Sequence, residues 1–188
     1  MATADPADLD FTAIFAPREV PPVTPAQRVQ IEADALIGAN EVKHGGYCAS
    51  MTRPALRARG SRPLHPNILV VEDEPITAKL LQRILTAAGF KPWLACNGKE
   101  VVERLRSPPT PDLILMDVML PDINGIKIVE RIRQHKVIGD IPIVMVSGRA
   151  ELADVMRGFE AGADGYLTKP ATRAALIGVI EQMFKGGT

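Results

Sequence analysis

The stretch LILMDVML, residues 113–120, places one carboxylate, Asp117, in a run whose other side chains are all apolar. A lone buried charge is costly, so this group must be neutralised, paired, or held at an exposed end of its element. Runs of the same kind occur at ILVV (68–71) and IVMV (143–146). Short, continuously apolar runs suit strands of a parallel sheet covered on both faces. Segments with helical spacing lie between them. ITAKLLQRILTAAG (76–89) sets Ile76, Leu80, Leu81, Ile84, Leu85 and Ala88 on one side, with Gly89 as a stop. KPWLAC (91–96) and DGYLT (164–168) complete five strands. GKEVVERLR, NGIKIVERIRQ (capped by Asn124), residues 151–160 and ATRAALIGVIEQMF supply further helices. Strict alternation of five strands and five helices predicts an α/β domain over 67–185 with a doubly wound parallel sheet and right-handed crossovers.

Residues 1–66 read differently. They are rich in Pro, Ala, Gly and Arg, and APREVPPVTP (16–25) holds four prolines. A mostly irregular arm is expected, with one short helix at 25–38. Thr24, Pro25 and Gln27 form its capping box, Val29, Ala33, Leu36 and Ile37 its apolar face, and Gly38 its end. In DLDFTAIF (8–15), Phe11, Ile14 and Phe15 recur at helical spacing after acids. Two readings of the arm stay open: a solvated tether, or a docking motif that lays a helical face on a partner or on its own domain.

The chain has 188 residues with 22 basic and 22 acidic side chains, so its neutral charge gives no support to a general nucleic-acid binder. No apolar run approaches a membrane span, and the N-terminus lacks the basic start of a secretory signal. A cytoplasmic protein is expected. Cys48 and Cys96 have no metal or redox spacing and receive no role.

Functional groups of an open parallel sheet gather beyond the carboxyl ends of its strands. Those ends carry Glu72-Asp73-Glu74, Asp117, Ser147-Gly148 and Thr168-Lys169-Pro170. Asp117 is thereby expected at the rim, pointing out of the core. Carboxylates so close repel, by roughly 4 kcal/mol per pair at 4 Å and an effective dielectric of 20. A proton or cation must offset that, and oxygen-only ligands suit Mg²⁺. Ser147 and Lys169 could then receive phosphate oxygens, with Asp117 as nucleophile. Taken singly, each residue has a plainer reading: strand-end acids as turn or cap residues, Ser147 as a cap, Lys169 as a loop charge, Tyr166 as a half-buried aromatic. Four such accidents on one rim are a poorer explanation.

Residues 67–184 resemble a response-regulator receiver domain of two-component signalling, through ILVVEDE (68–74), LILMDVMLPDINGI (113–126), IPIVMVSG (141–148) and AGADGYLTKP (161–170). The resemblance implies a flavodoxin-like fold with strand order 2-1-3-4-5. It makes Asp117 the phosphoryl acceptor. Glu72, Asp73 and Asp117 would hold Mg²⁺ with the backbone carbonyl of Met119. Ser147 and Lys169 would bind the phosphoryl oxygens, and Ser147 and Tyr166 would form the switch. It also implies a cis Lys169–Pro170 bond. Glu72 and Ser147 stand where Asp and Thr are frequent. The expected partner is a histidine kinase or histidine phosphotransfer protein, with no nucleic acid and no membrane, and no output domain follows the receiver. On phosphorylation Ser147 would move toward the phosphoryl group and Tyr166 would turn inward. That would alter the face of the domain's fourth helix, fifth strand and fifth helix for a downstream partner. The domain would not be a turnover enzyme, only losing its phosphate slowly. A phosphate-independent interaction module, or a phosphate shuttle or sink, is the alternative. An aspartyl-phosphate enzyme would want a second Asp at position 119, which is Met, and no glycine-rich loop follows the first strand for a nucleotide.

Overall fold

The computed structural model describes residues 18–44, 46–49, 63–149 and 151–185. The DLDFTAIF segment and the basic side chains of Arg53, Arg57, Arg59 and Arg62 lie outside them. Five parallel strands, β2 (Asn67–Val71), β3 (Lys91–Ala95), β4 (Leu113–Asp117), β5 (Ile143–Ser147) and β6 (Gly165–Thr168), alternate with helices. The helices are α2 (Pro75–Ala87), α3 (Gly98–Arg106), α4 (Gly125–Arg133), α5 (Leu152–Glu160) and α6 (Arg173–Lys185). A helix α1 (Pro25–Lys43) and a short strand β1 (Tyr47–Ala49) precede them. The sheet runs β1-β6-β5-β4-β2-β3. Its parallel strands therefore have the doubly wound order expected, and β1 adds an antiparallel sixth strand beside β6.

Successive strand residues face opposite ways, so each strand feeds two cores. Leu69, Val71, Ile114, Met116, Met145 and Tyr166 pack with Leu105 of α3, Ile128 and Ile132 of α4, and Val155 and Phe159 of α5. Ile68, Val70, Leu115, Val144, Val146 and Leu167 pack with Leu81 and Leu85 of α2 and with Leu176 and Ile180 of α6. Local chemistry sets the helix starts. Glu74 caps α2 by accepting from the Ile76 and Thr77 amides at 2.9 and 2.5 Å, with Pro75 in the first turn. Asn124 caps α4 through the Ile126 amide at 2.9 Å. Gly89, at φ +86°, ends α2 in a conformation that favours glycine.

The arm differs from the expected short helix. Thr24 and Gln27 do form the capping box, exchanging hydrogen bonds of 2.9 and 3.2 Å. The helix, however, runs through Gly38 to Lys43. Gly38 is a contact residue and not a stop: it faces Cys48 so closely that a Cβ would collide with the thiol. The buried face of α1 is Ile31, Ala35, Gly38 and Ala39. The anticipated stripe points to solvent, with Val29 and Leu36 66% exposed and Ile37 71%. No described helix is long and apolar enough to cross a membrane.

Beneath the sheet's opposite rim, Arg133 is buried and ion-paired to Asp164 at 2.9 Å, and it also donates to the carbonyls of Gly139, Ile141 and Gly162. Asp164 in turn accepts from the Ile143 amide at 2.9 Å. This pair ties α4, β5 and β6 together at their shared end. Removing one partner of a buried pair strands the other charge. Arg133→Met is expected to lower the unfolding free energy by about 3–5 kcal/mol, read from urea denaturation. A loss under about 1 kcal/mol would show the pair to be dispensable.

Candidate functional site

Each site residue sits where its strand stops. The last β2 residue, Val71, is followed by Glu72, whose amide still pairs with the Ala95 carbonyl at 3.0 Å. Asp117 closes β4 beside Val146 of β5. The Lys169 amide donates to the Ser147 carbonyl at 2.8 Å, which extends the β5–β6 pairing and carries the lysine over the rim. The Lys169–Pro170 bond is cis, as is Pro108–Pro109.

The sheet brings Glu72, Asp73, Asp117 and Lys169 together. Lys169 Nζ donates to Asp117 Oδ2 at 2.5 Å and to Glu72 Oε1 at 2.7 Å. Nζ also lies 2.6 Å from Glu72 Oε2, so the ammonium sits against both oxygens of this buried carboxylate. The second Asp117 oxygen accepts from the Met119 amide at 3.1 Å. Asp117 does end its strand, but it is only 5% exposed rather than pointing freely outward, because Lys169 lies across it. Glu72 is equally hidden, whereas Asp73 is exposed on the loop. Oxygens of Glu72, Asp73 and Asp117 all lie within 4.8 Å of one another. An all-carboxylate donor set fits a hard divalent cation such as Mg²⁺.

Burial pushes the Glu72 carboxyl above its ordinary 4.5, against the pull of Lys169 and with the help of Asp117's charge. Burial alone would lower the Lys169 ammonium, but its bonds to Asp117 and Glu72 outweigh that and hold it above 10.5. The lysine's contribution to stability is therefore complete below 10.5 and is lost as pH rises through its folded value.

Ser147 and Tyr166 are joined by one residue's backbone. The Arg149 amide donates to Ser147 Oγ at 3.1 Å, and the Tyr166 hydroxyl donates to the Arg149 carbonyl at 3.0 Å. The Arg149 side chain is itself solvent-directed. Tyr166 is already turned inward and 1% exposed, its ring lying against Gly158 of α5, where a Cβ would be 3.2 Å from it. The resemblance implies this inward position after phosphorylation; here the ring is inward with β1 paired along β6 and Cys48 opposite Tyr166. A Cβ at Gly148 would meet nothing within 4 Å, whereas Ser147 itself is buried, 1% exposed. Close packing fixes Gly125 instead, because a Cβ there would strike the Asp117 carbonyl.

Two features were not read from the sequence. Asp122 accepts from the Gly98 and Lys99 amides at 2.9 and 3.3 Å, tying the loop after β4 to the start of α3. The Arg149 bridge is made by backbone, which leaves no residue-type signal.

The profile of the family described as response regulator receiver domain matches residues 68–181. The chain is 40% identical over 120 residues to the transcriptional regulatory protein BaeR of Escherichia coli, covering 64% of this chain and 48% of that protein. It is 37% identical over 120 residues to the phosphate regulon transcriptional regulatory protein PhoB of Rhizobium meliloti, covering 64% and 52%. The chain thus spans about half the length of these curated relatives. Among solved structures, a putative response regulator from Chloroflexus aurantiacus matches with a TM-score of 0.62 at 30% identity, over 64% of this chain and 98% of that one. A CheY-like receiver domain from Methanospirillum hungatei matches at 0.57 and 27%, over 64% and 94%.

The raised Glu72 carboxyl has a measurable consequence. Its ionisation costs stability as pH rises past 4.5, so Glu72→Gln should raise the melting temperature by a few degrees at pH 7 in chelator. That gain should vanish below the ordinary carboxylate range, where Glu72 is neutral in both states. A variant less stable than wild type at pH 7 would mean that the Lys169 pairing outweighs the burial.

Proposed function

Since the chain belongs to the response regulator receiver domain family, we propose that it is a signalling switch that accepts a phosphoryl group on Asp117. Receiver domains act as phosphoryl acceptors and regulators rather than as turnover enzymes. The single observation that carries the residue assignment is the ammonium of Lys169 shared between Asp117 and Glu72 on the strand-end rim. It holds the nucleophile's carboxylate in place and supplies a positive charge where phosphoryl oxygens would arrive.

In this reading a phosphohistidine of a kinase or phosphotransfer protein is the donor. An Asp117 oxygen attacks phosphorus, the P–N bond breaks, and the imidazole leaves with its electron pair. A divalent ion such as Mg²⁺, held by Glu72, Asp73, Asp117 and the Met119 carbonyl, would neutralise charge on the carboxylates and the transferring group. Lys169 takes one phosphoryl oxygen and Ser147 Oγ another. The product carries about one more negative charge. As Ser147 turns toward it, the Arg149 backbone follows, and the Tyr166 hydroxyl bonded to the Arg149 carbonyl is held inward. Slow attack of water on phosphorus returns the free carboxylate.

A protein donor fits the surroundings. Beside Lys169 runs a groove of about 290 Å³ lined by Thr77, Leu80, Pro170 and Ala171. Ile76, at 78%, and Leu80, at 53%, stand exposed next to it on α2. An apolar patch adjoining the acceptor gives a donor helix a seat. Neutral net charge favours a protein partner over nucleic acid, and a cytoplasmic location is where such donors would meet it. The DNA binding stated in the name of the relative RpaA of Synechocystis belongs to a protein of which this chain matches 43%.

Incubation with a radiolabelled small phosphodonor and Mg²⁺ should label the wild-type protein. Asp117→Asn or an excess of chelator should reduce labelling by at least about tenfold. A mutant labelled as fully as wild type would remove Asp117 from the acceptor role.

A further inference from the structure

Residues 18–49 lie across the face that the proposed switch would present. Helix α1 packs on α5 and β6, and β1 packs on α6. Ile31, Ala35 and Cys48 join the same buried cluster as Phe159 and Tyr166. The Tyr47 ring sits over Gly178 of α6 so closely that a Cβ there would be 2.8 Å from it. At the arm's start, Arg18 hooks the end of α4. Its amide donates to the Gln134 carbonyl at 2.6 Å, and its guanidinium reaches the carbonyls of Arg133 and Gly139 and pairs with Asp140 at 2.7 Å. The α5–β6–α6 face is therefore already occupied by a segment of the same chain.

We propose that residues 18–49 are a built-in ligand of this face, docked tightest when Asp117 is phosphorylated and Tyr166 is turned inward. This rests on the acceptor reading above and adds its regulation. β1 pairs along the β6 edge and α1 packs on β6 beside Tyr166, so on this proposal a ring turned outward across that edge would meet them. Cys48 lies opposite Tyr166 in the strand register, so the arm and an outward ring exclude each other. Inward, the ring rests on Gly158 and its hydroxyl reaches the Arg149 carbonyl, whose amide partner is Ser147. The phosphoryl group and the arm thus favour one arrangement of the Ser147–Arg149–Tyr166 chain, and by linkage each strengthens the other. The seat is imperfect, as a segment meant to respond requires. A cleft of about 380 Å³ remains between Val20, Val23 and Ile31 of the arm and Phe159 of α5. While the arm is docked, a partner meets the outward apolar stripe of α1, Val29, Ala33, Leu36 and Ile37, in place of the covered face.

The test uses the full chain with Mg²⁺ and beryllofluoride, a phosphoryl mimic, and reads amide hydrogen exchange of residues 47–49 together with beryllofluoride affinity. Beryllofluoride should slow that exchange by about fivefold or more in wild type. Ala35→Glu and Gly38→Val, which damage the α1 seat at two independent points, should abolish the slowing and weaken beryllofluoride binding by a similar factor. Leu36→Gln, on the solvent side of α1, should behave as wild type. Unchanged or faster exchange in a wild-type protein that binds beryllofluoride would overturn this inference and leave the acceptor reading intact. Undiminished affinity in both arm variants would do the same. Failure of wild type to bind beryllofluoride at Asp117 would overturn both.

Discussion

Three carboxylates converge on one rim of the sheet, Glu72 and Asp73 from the loop after β2 and Asp117 from the end of β4, and the structure is arranged around the charge this creates. At about 4 Å each pair of such groups repels by roughly 4 kcal/mol at an effective dielectric of 20. A single ammonium, Lys169, spans the two buried members, and the β5–β6 pairing at Ser147 delivers it to that place. One positive charge between two buried carboxylates, with Asp73 beside them, leaves the site rich in negative charge. A cation is welcome there, and an anion only together with it. The rim is thus left less stable than it could be so that it can respond, which is the usual place for a fold to break its own local rules.

The same rim is connected to the far edge of the sheet by a short path. Ser147 Oγ, the Arg149 backbone and the Tyr166 hydroxyl form consecutive hydrogen bonds, and the Tyr166 main chain is paired with Cys48. In the proposed switch, a change of charge at Asp117 would reach the arm through that one hydroxyl. The Arg133–Asp164 pair ties α4 to β6 at the opposite end of the sheet.

Much of this was legible in the sequence for a simple reason. Buried parallel strands write themselves as unbroken apolar runs, and the first polar residue after each run is a rim residue. Asp117, Glu72 and Ser147 could be placed on that ground alone, and Lys169 follows Thr168 at the end of the last strand. The arm was harder. Its helix interleaves two apolar sets, Val29, Ala33, Leu36 and Ile37 against Ile31, Ala35, Gly38 and Ala39, and the larger residues are on the exposed set. Periodicity weighted by side-chain size therefore selects the wrong face. Close packing prefers the small residues, since they let α1 approach Cys48. The three-residue β1 has no periodic signal at all, and the inward pose of Tyr166 depends on what lies outside it.

In the proposed function this cluster of like charges receives one divalent ion and one phosphoryl group, the latter on Asp117. A crystal structure of the protein with Mg²⁺ and beryllofluoride tests this. Beryllium is expected bonded to an Asp117 oxygen, the metal among Glu72, Asp73 and Asp117, and fluorides facing Lys169 and Ser147. Beryllofluoride attached to any other carboxylate, or a metal held away from these three, would contradict it.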